Sequence, residues 1–332
     1  MPPQFNPDDL SRFNDFRIFR ATYKTVSSHA LTTDILIPSH LLSPPTPAPA
    51  RPILLRFHGG GLIAGSSLFP DFFAPWHLQL AARHGAVIVS PNYRLLPESG
   101  VGDVLADVED HWRWLQGSLA SFVASSTATA VAVDTSRILC AGDSAGGYLS
   151  LMQGLSHADG IRAVTAAYPL VDAKSAHFTT AYAKAMVGLD PALYPRSIVD
   201  EHLAKVRNGE LPAVVSEDAR LERGALMFAM TQDGFCGEFF PGEREELFVL
   251  ERLGRRGERF PRGGVFVWHG EKDSVVPVEG SLRLERVVRE VDPGLRFRLA
   301  LRDGDHGFDA ESSIDEEWMA EGLGEIVDAW LA

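Results

Sequence analysis

The residues with the clearest chemical potential form a glycine-flanked serine turn, Gly142-Asp-Ser-Ala-Gly146. The turn directly follows an apolar run, Arg137–Ala141, that predicts a strand, and it precedes a helical run, Tyr148–Leu155. In such a strand–turn–helix unit the serine oxygen projects above the sheet, and the flanking glycines avoid clashes where strand and helix approach closely. An ordinary turn is the alternative. The context favours Ser144 as the nucleophile of an acyl-transfer reaction.

A glycine-rich loop, His58-Gly-Gly-Gly61, follows an earlier predicted strand, Ile53–Phe57. Consecutive glycines let backbone N–H groups point into a cavity, and acyl transfer needs such donors where the oxyanion develops. The motif matches the oxyanion loop of lipases and esterases, so we predict Gly60, Gly61 and Ala145 as the N–H donors. A flexible turn is the alternative, whereas a phosphate cradle is disfavoured because no Gly-Lys-Ser/Thr follows. His58 is predicted to fix the loop rather than to act as a base.

A candidate general base, His306, follows the last predicted strand and precedes the predicted terminal helix. This position places it in a loop at the edge of the sheet. Most loop histidines are solvated side chains, and that is the alternative here. An imidazole at this place would take the serine proton and later return it to the leaving group.

The acid that would orient this imidazole is predicted to be Asp273, just past the predicted strand Val265–Trp268. Glu271 is the rival, but the turn must end before a carboxylate reaches across to the next loop. Asp303 and Asp305, close to the histidine in sequence, are interpreted as solvated turn residues. His269 is interpreted as a structural residue at the strand end.

The sheet that must position these residues is predicted from short apolar runs that alternate with amphipathic stretches. The alternation is typical of an α/β fold with a mainly parallel central sheet flanked by helices. The predicted strands are Ala30–Pro38 at an edge, Ile53–Phe57, Ala86–Ser90, Arg137–Ala141, Ala163–Tyr168, Val265–Trp268 and Leu295–Leu301. Residues 26–172 and 262–332 are predicted to form the catalytic domain. Residues 1–25 and 173–261 are predicted to form a mostly helical cap over the sheet's carboxyl edge, where ligands bind in open α/β sheets.

The composition narrows the choice of partners. Acidic residues outnumber basic ones by 44 to 31, and a net charge of -13 disfavours nucleic acid and anionic membrane surfaces, which both repel a negative field. Two cysteines, Cys140 and Cys236, do not suggest a disulfide framework. The first ten residues lack a basic region and a long apolar stretch, and no segment has the length of a membrane helix. We therefore expect a cytoplasmic protein without membrane insertion.

Jointly, the motifs resemble those of the hormone-sensitive-lipase-like esterase family of α/β-hydrolases. The chain order Ser144, Asp273, His306 is the order of that fold. The resemblance covers about residues 50 to 310. It is carried by His58-Gly-Gly-Gly61, Asn92-Tyr-Arg-Leu-Leu-Pro-Glu98, Gly142-Asp-Ser-Ala-Gly-Gly147, Asp273 with Val276-Pro277, and His306-Gly-Phe308.

This resemblance implies an α/β-hydrolase fold with a cap, and hydrolysis of esters with short to medium acyl chains. It implies no metal and no organic cofactor, and a small-molecule ester as partner, with a homodimer left open. The cap regions carry no pattern that aligns with the family, so the pocket residues stay unassigned. Gln232–Pro241 is predicted either to line the entrance or to pack within the cap, and Tyr168-Pro169 either to border the acyl pocket or not.

The sequence therefore predicts a serine hydrolase that forms an acyl-enzyme on Ser144, with His306 as base and Asp273 as its orienting acid. A transacylase, a thioesterase or a lactonase would use the same residues and differ only in the cap. A non-catalytic small-molecule receptor on this fold is the alternative from another class. The retained histidine disfavours it, because receptors of this kind lack that residue.

Overall fold

An eight-stranded sheet forms the centre of the protein, with strand order β1-β2-β4-β3-β5-β6-β7-β8. The computed structural model describes residues 5–43 and 49–332. The strands are β1 (Phe16–Val26), β2 (His29–Pro38), β3 (Arg51–Phe57), β4 (Val87–Pro91), β5 (Val133–Asp143), β6 (Ala163–Ala167), β7 (Val265–Gly270) and β8 (Phe297–Arg302). Strands β1 and β2 are antiparallel to their neighbours, and the pairs from β4 to β8 are parallel. The predicted α/β class and mainly parallel sheet are confirmed.

Helices cover both faces of the sheet, because the inner strands are apolar on both faces. The helices are α1 (Pro75–His84), α2 (Val101–Gly117), α3 (Leu119–Ser126), α4 (Ala145–Ser156), α5 (Ala176–Thr179), α6 (Ser197–Arg207), α7 (Gly224–Asp233), α8 (Cys236–Phe239), α9 (Val249–Leu253), α10 (Glu279–Val291) and α11 (Glu317–Leu331). Helices α2, α3, α4 and α10 pack on the face that includes Leu55, and α1 and α11 pack on the opposite face, with Leu54. Adjacent residues of β3 thus belong to two separate cores, as alternation along a strand requires.

The N-terminal segment departs from the prediction. Residues 16–25, which the sequence assigned to the cap, belong to strand β1 at the edge of the sheet. Consequently Ala30–Pro38, predicted at the edge, lies in the second strand. The register runs from Phe16 opposite Pro38 to Val26 opposite His29, so the two strands form a hairpin. An edge strand with one solvated face has few consecutive apolar residues, and this explains why its pattern was missed.

An ion-pair cluster around the buried Glu98 ties helices α6 and α7 to the loop after β4. Glu98 lies at the end of the loop after β4, and its side chain is only 1% exposed. The guanidinium of Arg223, at the start of α7, donates to both Glu98 carboxylate oxygens at 2.9 and 2.7 Å. His202 of α6 lies 2.7 Å from the same carboxylate. Arg223 also donates to the carbonyls of Ile63 and Leu96, so one side chain joins the cap to the oxyanion-loop region.

Candidate active site

Ser144 lies on the turn between β5 and α4, in a conformation that L-residues rarely adopt, with φ 58° and ψ −117°. A Cβ added to Gly142 would lie 2.0 Å from the carbonyl oxygen of Gly146. One added to Gly146 would lie 2.1 Å from the carbonyl oxygen of Phe57 in β3. Both glycines are therefore required by close backbone approach. Together they hold the serine in a strained position, which is typical of functional sites.

We expect Gly146→Ala to destabilise the fold, because its methyl group would collide with backbone rather than with a movable side chain. Overpacking of this kind lowers the free energy of unfolding by about 1–3 kcal/mol or more. Thermal and urea unfolding measure the loss. The matched control is Gly117→Ala in α2, where an added Cβ meets nothing within 4 Å. That control should be neutral or more stable, and equal stability of the two variants would contradict the packing argument.

Asp143, next to the nucleophile, connects the turn to β3. Its carboxylate accepts a hydrogen bond of 3.1 Å from the buried guanidinium of Arg56. Burial raises the pKa of Asp143 to about 7 in spite of this cation. This pair joins the serine turn to β3 and anchors it.

The oxyanion loop contacts the serine turn directly. Gly60 and Gly61 have φ angles of 99° and 67°, the left-handed region that favours glycine. A Cβ on Gly59 would lie 3.5 Å from Cβ of Ser144. Among the residues that the structure describes, no backbone acceptor receives a hydrogen bond from the N–H groups of Gly60, Gly61 and Ala145. All three residues line the cavity that holds Ser144.

His58 is buried at the start of this loop and stays neutral. Burial lowers the pKa of His58 to about 3. Its ring stacks on Tyr93 with centroids 4.3 Å apart, and the Tyr93 hydroxyl donates to the His58 carbonyl at 2.6 Å. Tyr93 belongs to the segment Asn92–Glu98. The two motifs thus support each other, and His58 fixes the loop.

His306 and Asp273 meet at the end of β7. The distance between His306 Nδ1 and Asp273 Oδ2 is 2.8 Å, and the Asp273 side chain is fully buried. The other carboxylate oxygen accepts the N–H groups of Val275 and Val276 at 2.9 and 2.8 Å. Burial favours the neutral acid, but His306, a hydrogen bond with His269 and the N–H of Val276 together outweigh it and hold the pKa of Asp273 well below its usual value. A buried carboxylate with several donors can thus hold one imidazole tautomer.

The rival carboxylates have other partners. Glu271 is exposed to solvent. Asp303 pairs with Lys272 at 2.5 Å on the surface. Asp305 is not the solvated turn residue that the sequence predicted. It accepts the N–H groups of Ser274 and His306, each at 2.7 Å, because the loops after β7 and β8 lie side by side.

Sequence reasoning missed one carboxylate near the histidine. The buried carboxylate of Asp309 accepts the hydroxyl of Tyr168 and the indole N–H of Trp268, each at 2.8 Å. The Tyr168 ring packs edge-on against His306, with centroids 4.5 Å apart. The only sequence signal was the spacing of Asp309 three residues past the histidine.

A cavity of about 440 Å³ opens above Ser144. Ser144 and His306 line it, whereas Asp273 lies behind the imidazole. Residues between 178 and 235 supply one wall, and Phe5 and the segment before α1 supply another. Its aromatic lining residues are Phe5, Phe72, Tyr168, Phe178, Phe228 and Phe235. Asp71, Asp143 and Asp305 are also among its lining residues, and the described lining contains neither lysine nor arginine.

No group of three metal-ligating side chains occurs in the described ranges. Across those same ranges, every helix is too short or too polar to cross a bilayer.

Comparison with known proteins places this geometry in a family. A model described as the alpha/beta hydrolase fold matches residues 54–208. A probable carboxylesterase of Cochliobolus lunatus is 30% identical over 60% of this chain and 92% of its own length. Another, of a Phoma species, is 28% identical over 96% of this chain and 98% of its own. The chain therefore belongs to the α/β-hydrolase family.

A solved structure agrees in fold. Esterase 2 of Thermogutta terrifontis, phosphorylated by paraoxon, has a TM-score of 0.57 at 18% identity and covers 96% of this chain and 94% of its own. The predicted resemblance to the hormone-sensitive-lipase-like esterases is confirmed by the family and carboxylesterase matches.

Proposed function

We propose that this protein is a serine hydrolase that cleaves carboxylic esters through an acyl-enzyme on Ser144. The observation that carries the proposal is the buried Asp273–His306 pair at 2.8 Å, beside a cavity shared by His306 and the strained serine. The carboxylesterases among its relatives support the ester as the bond that is cleaved.

The mechanism follows from the positions of these groups. His306, held by Asp273, takes the proton of Ser144 as the serine oxygen attacks the ester carbonyl. The N–H groups of Gly60, Gly61 and Ala145 stabilise the developing oxyanion. His306 then protonates the leaving alcohol, which departs with its own oxygen. A water deprotonated by the same imidazole attacks the acyl-enzyme and releases the acid.

The lining of the cavity indicates an uncharged substrate. Aromatic and aliphatic side chains supply the apolar contact, whereas the described lining offers no lysine or arginine to bind an anion and the net charge of -13 repels one. A cavity of about 440 Å³ admits a small to medium acyl chain together with the alcohol. An uncharged ester should therefore react faster than a matched ester that carries a carboxylate.

An ester panel tests the proposed activity. 4-Nitrophenyl esters of increasing acyl length, with the hemisuccinate as the anionic member, are compared by their kcat/KM values. Acid release is measured against acyl transfer to added alcohols and thiols, which separates a hydrolase from a transacylase. Acyl transfer that dominates over acid release in water would contradict hydrolysis as the reaction. Turnover confined to thioesters or lactones would contradict the proposed ester substrate.

The activity should depend on pH through His306. Burial alone lowers the pKa of this imidazole, but the carboxylates of Asp273, Asp305 and Asp309 together outweigh burial and raise the pKa above the usual 6.5. The base must be neutral, so kcat/KM should be low in acid and rise through a pKa above 6.5. Initial rates between about pH 5 and 9 measure the profile. A profile that is flat across this range would contradict the role of His306.

A further inference from the structure

One segment of the cap, residues 176–187, contacts the loop that bears Asp273. This cap segment contributes Phe178 and Val187 to the cavity lining. His177 Nε2 lies 2.9 Å from the carbonyl oxygen of Val275. The N–H of Val187 donates to Oγ of Ser274 at 2.8 Å. Both contacts therefore fall on the two residues that directly follow the acid.

Ser274 also binds the loop that bears His306. Its N–H and its hydroxyl donate to Oδ1 of Asp305 at 2.7 and 2.8 Å. The same oxygen accepts the N–H of His306 at 2.7 Å. A hydroxyl can accept one hydrogen bond and donate another, so Ser274 accepts from Val187 of the cap while it donates to Asp305.

The cap segment is itself fixed to the cavity wall. The ammonium of Lys184, a buried residue, donates to the carbonyls of Thr231 and Gln232 at 2.9 and 2.8 Å, at the end of α7. Helix α7 bears Met227 and Phe228, which line the cavity. Helix α7, the backbone of the cap segment between Lys184 and Val187, and the hydrogen bonds of Ser274 thus connect the cavity wall to the backbone of His306.

The histidine loop needs such support because its own backbone is permissive. Gly307 directly follows His306, has a φ of 77°, and has open space around its Cβ position. Asp305, on the other side, is held by Ser274 and by the N–H of His306. Without the Ser274 hydroxyl, the contact to the cap and both contacts of that hydroxyl with the Asp305 carboxylate disappear together.

We infer that Ser274 is a positioning residue that couples the seating of the cap segment to the orientation of His306. The inference rests on the proposed function. A misplacement of about 1 Å in a reacting group can cost roughly 10²-fold in rate, so a change in one hydroxyl has a measurable effect. The effect falls on kcat, because Ser274 acts on the base rather than on the substrate.

Ser274→Ala tests this role, with Ser274→Thr as the conservative variant. We expect kcat of Ser274→Ala to fall about 10- to 100-fold with little change in KM, and Ser274→Thr to recover most of it. Reaction with a small fluorophosphonate should slow in parallel, because that probe needs the base but little of the cap. Ser90→Ala is the matched control, since it removes a buried hydroxyl that bonds the Ser67 carbonyl at 3.1 Å elsewhere in the sheet.

Several results would overturn the inference. The first is a kcat of Ser274→Ala equal to that of Ser90→Ala. The second is an effect of Ser274→Ala that is confined to KM. The third is a folded Ser274→Thr whose kcat is no higher than that of Ser274→Ala. The proposed function fails by a different result, the absence of labelling at Ser144 in the unaltered protein. If the unaltered protein is labelled and Ser274→Ala is labelled equally fast, the proposed function stands and only the role of Ser274 is contradicted.

A double-mutant cycle tests the coupling to the cap. Lys184→Met loosens the cap segment without touching either loop after β7 and β8. If the cap acts on His306 through Ser274, the fold-loss of kcat in the double variant is smaller than the product of the fold-losses in the two single variants. Losses that multiply would show two independent effects and overturn the coupling. Circular dichroism of each variant confirms that the comparison is made between folded proteins.

Discussion

Ser144→Ala should abolish covalent labelling by a fluorophosphonate and reduce kcat for ester hydrolysis by roughly 10⁶-fold. The loss is large because the nucleophile, the base and the acid act as one unit. What remains is binding and oxyanion stabilisation, which still exceed the reaction in water by roughly 10³-fold. Mass spectrometry of the labelled protein locates the adduct, and a coupled assay at high enzyme concentration measures the residual rate.

The control for this variant is Ser150→Ala. Ser150 lies in the helix that begins after the nucleophile, and its hydroxyl donates to the carbonyls of Gly147 and Thr165, each at 3.0 Å. We expect that variant to be labelled and to turn over ester. Labelling that persists in Ser144→Ala would place the nucleophile elsewhere. An unaltered, folded protein that takes no label would favour the receptor alternative over the enzyme.

Much of the site was predictable from the sequence because its constraints are local. The turn at Ser144 needs glycines at fixed offsets between a strand and a helix, and the loop at His58 needs consecutive glycines after a strand. Each inner strand is recognisable in the sequence as a continuous apolar run, because both of its faces are buried. These signals depend on neighbouring residues only, and the structure brings them together at the predicted edge of the sheet.

The rest depends on contacts between segments distant in sequence. Strand β1 is stabilised by its pairing with β2, and its own pattern is weak. Asp309 was not predicted, because its partners Tyr168 and Trp268 come from β6 and β7 ends far along the chain. Asp305 resembled a solvated turn residue until the neighbouring loop supplied Ser274. Which residues bind a buried polar group is decided by the packing of distant segments, and local sequence patterns do not contain that information.

The sequence offers two carboxylates as the orienting acid, since Glu271 and Asp273 lie two residues apart. We expect Asp273→Asn to reduce kcat by roughly 10⁴-fold with little loss of binding. A neutral amide can fill the same space, but its NH₂ group would face His306 Nδ1 and favour the wrong imidazole tautomer. The stabilising negative charge is also lost when the imidazole becomes protonated in the transition state.

The same substitution should shift the pH profile in a direction that the electrostatics fix. The Asp273 carboxylate raises the pKa of His306, so its neutral replacement should lower that pKa and move the acid limb of the residual activity to lower pH. Glu271→Gln and Asp303→Asn are the matched controls, because both remove an exposed carboxylate near the same loops. They should retain kcat and the position of the acid limb. If Glu271→Gln lost activity while Asp273→Asn kept it, the buried pair at 2.8 Å would be structural and Glu271 would be the acid.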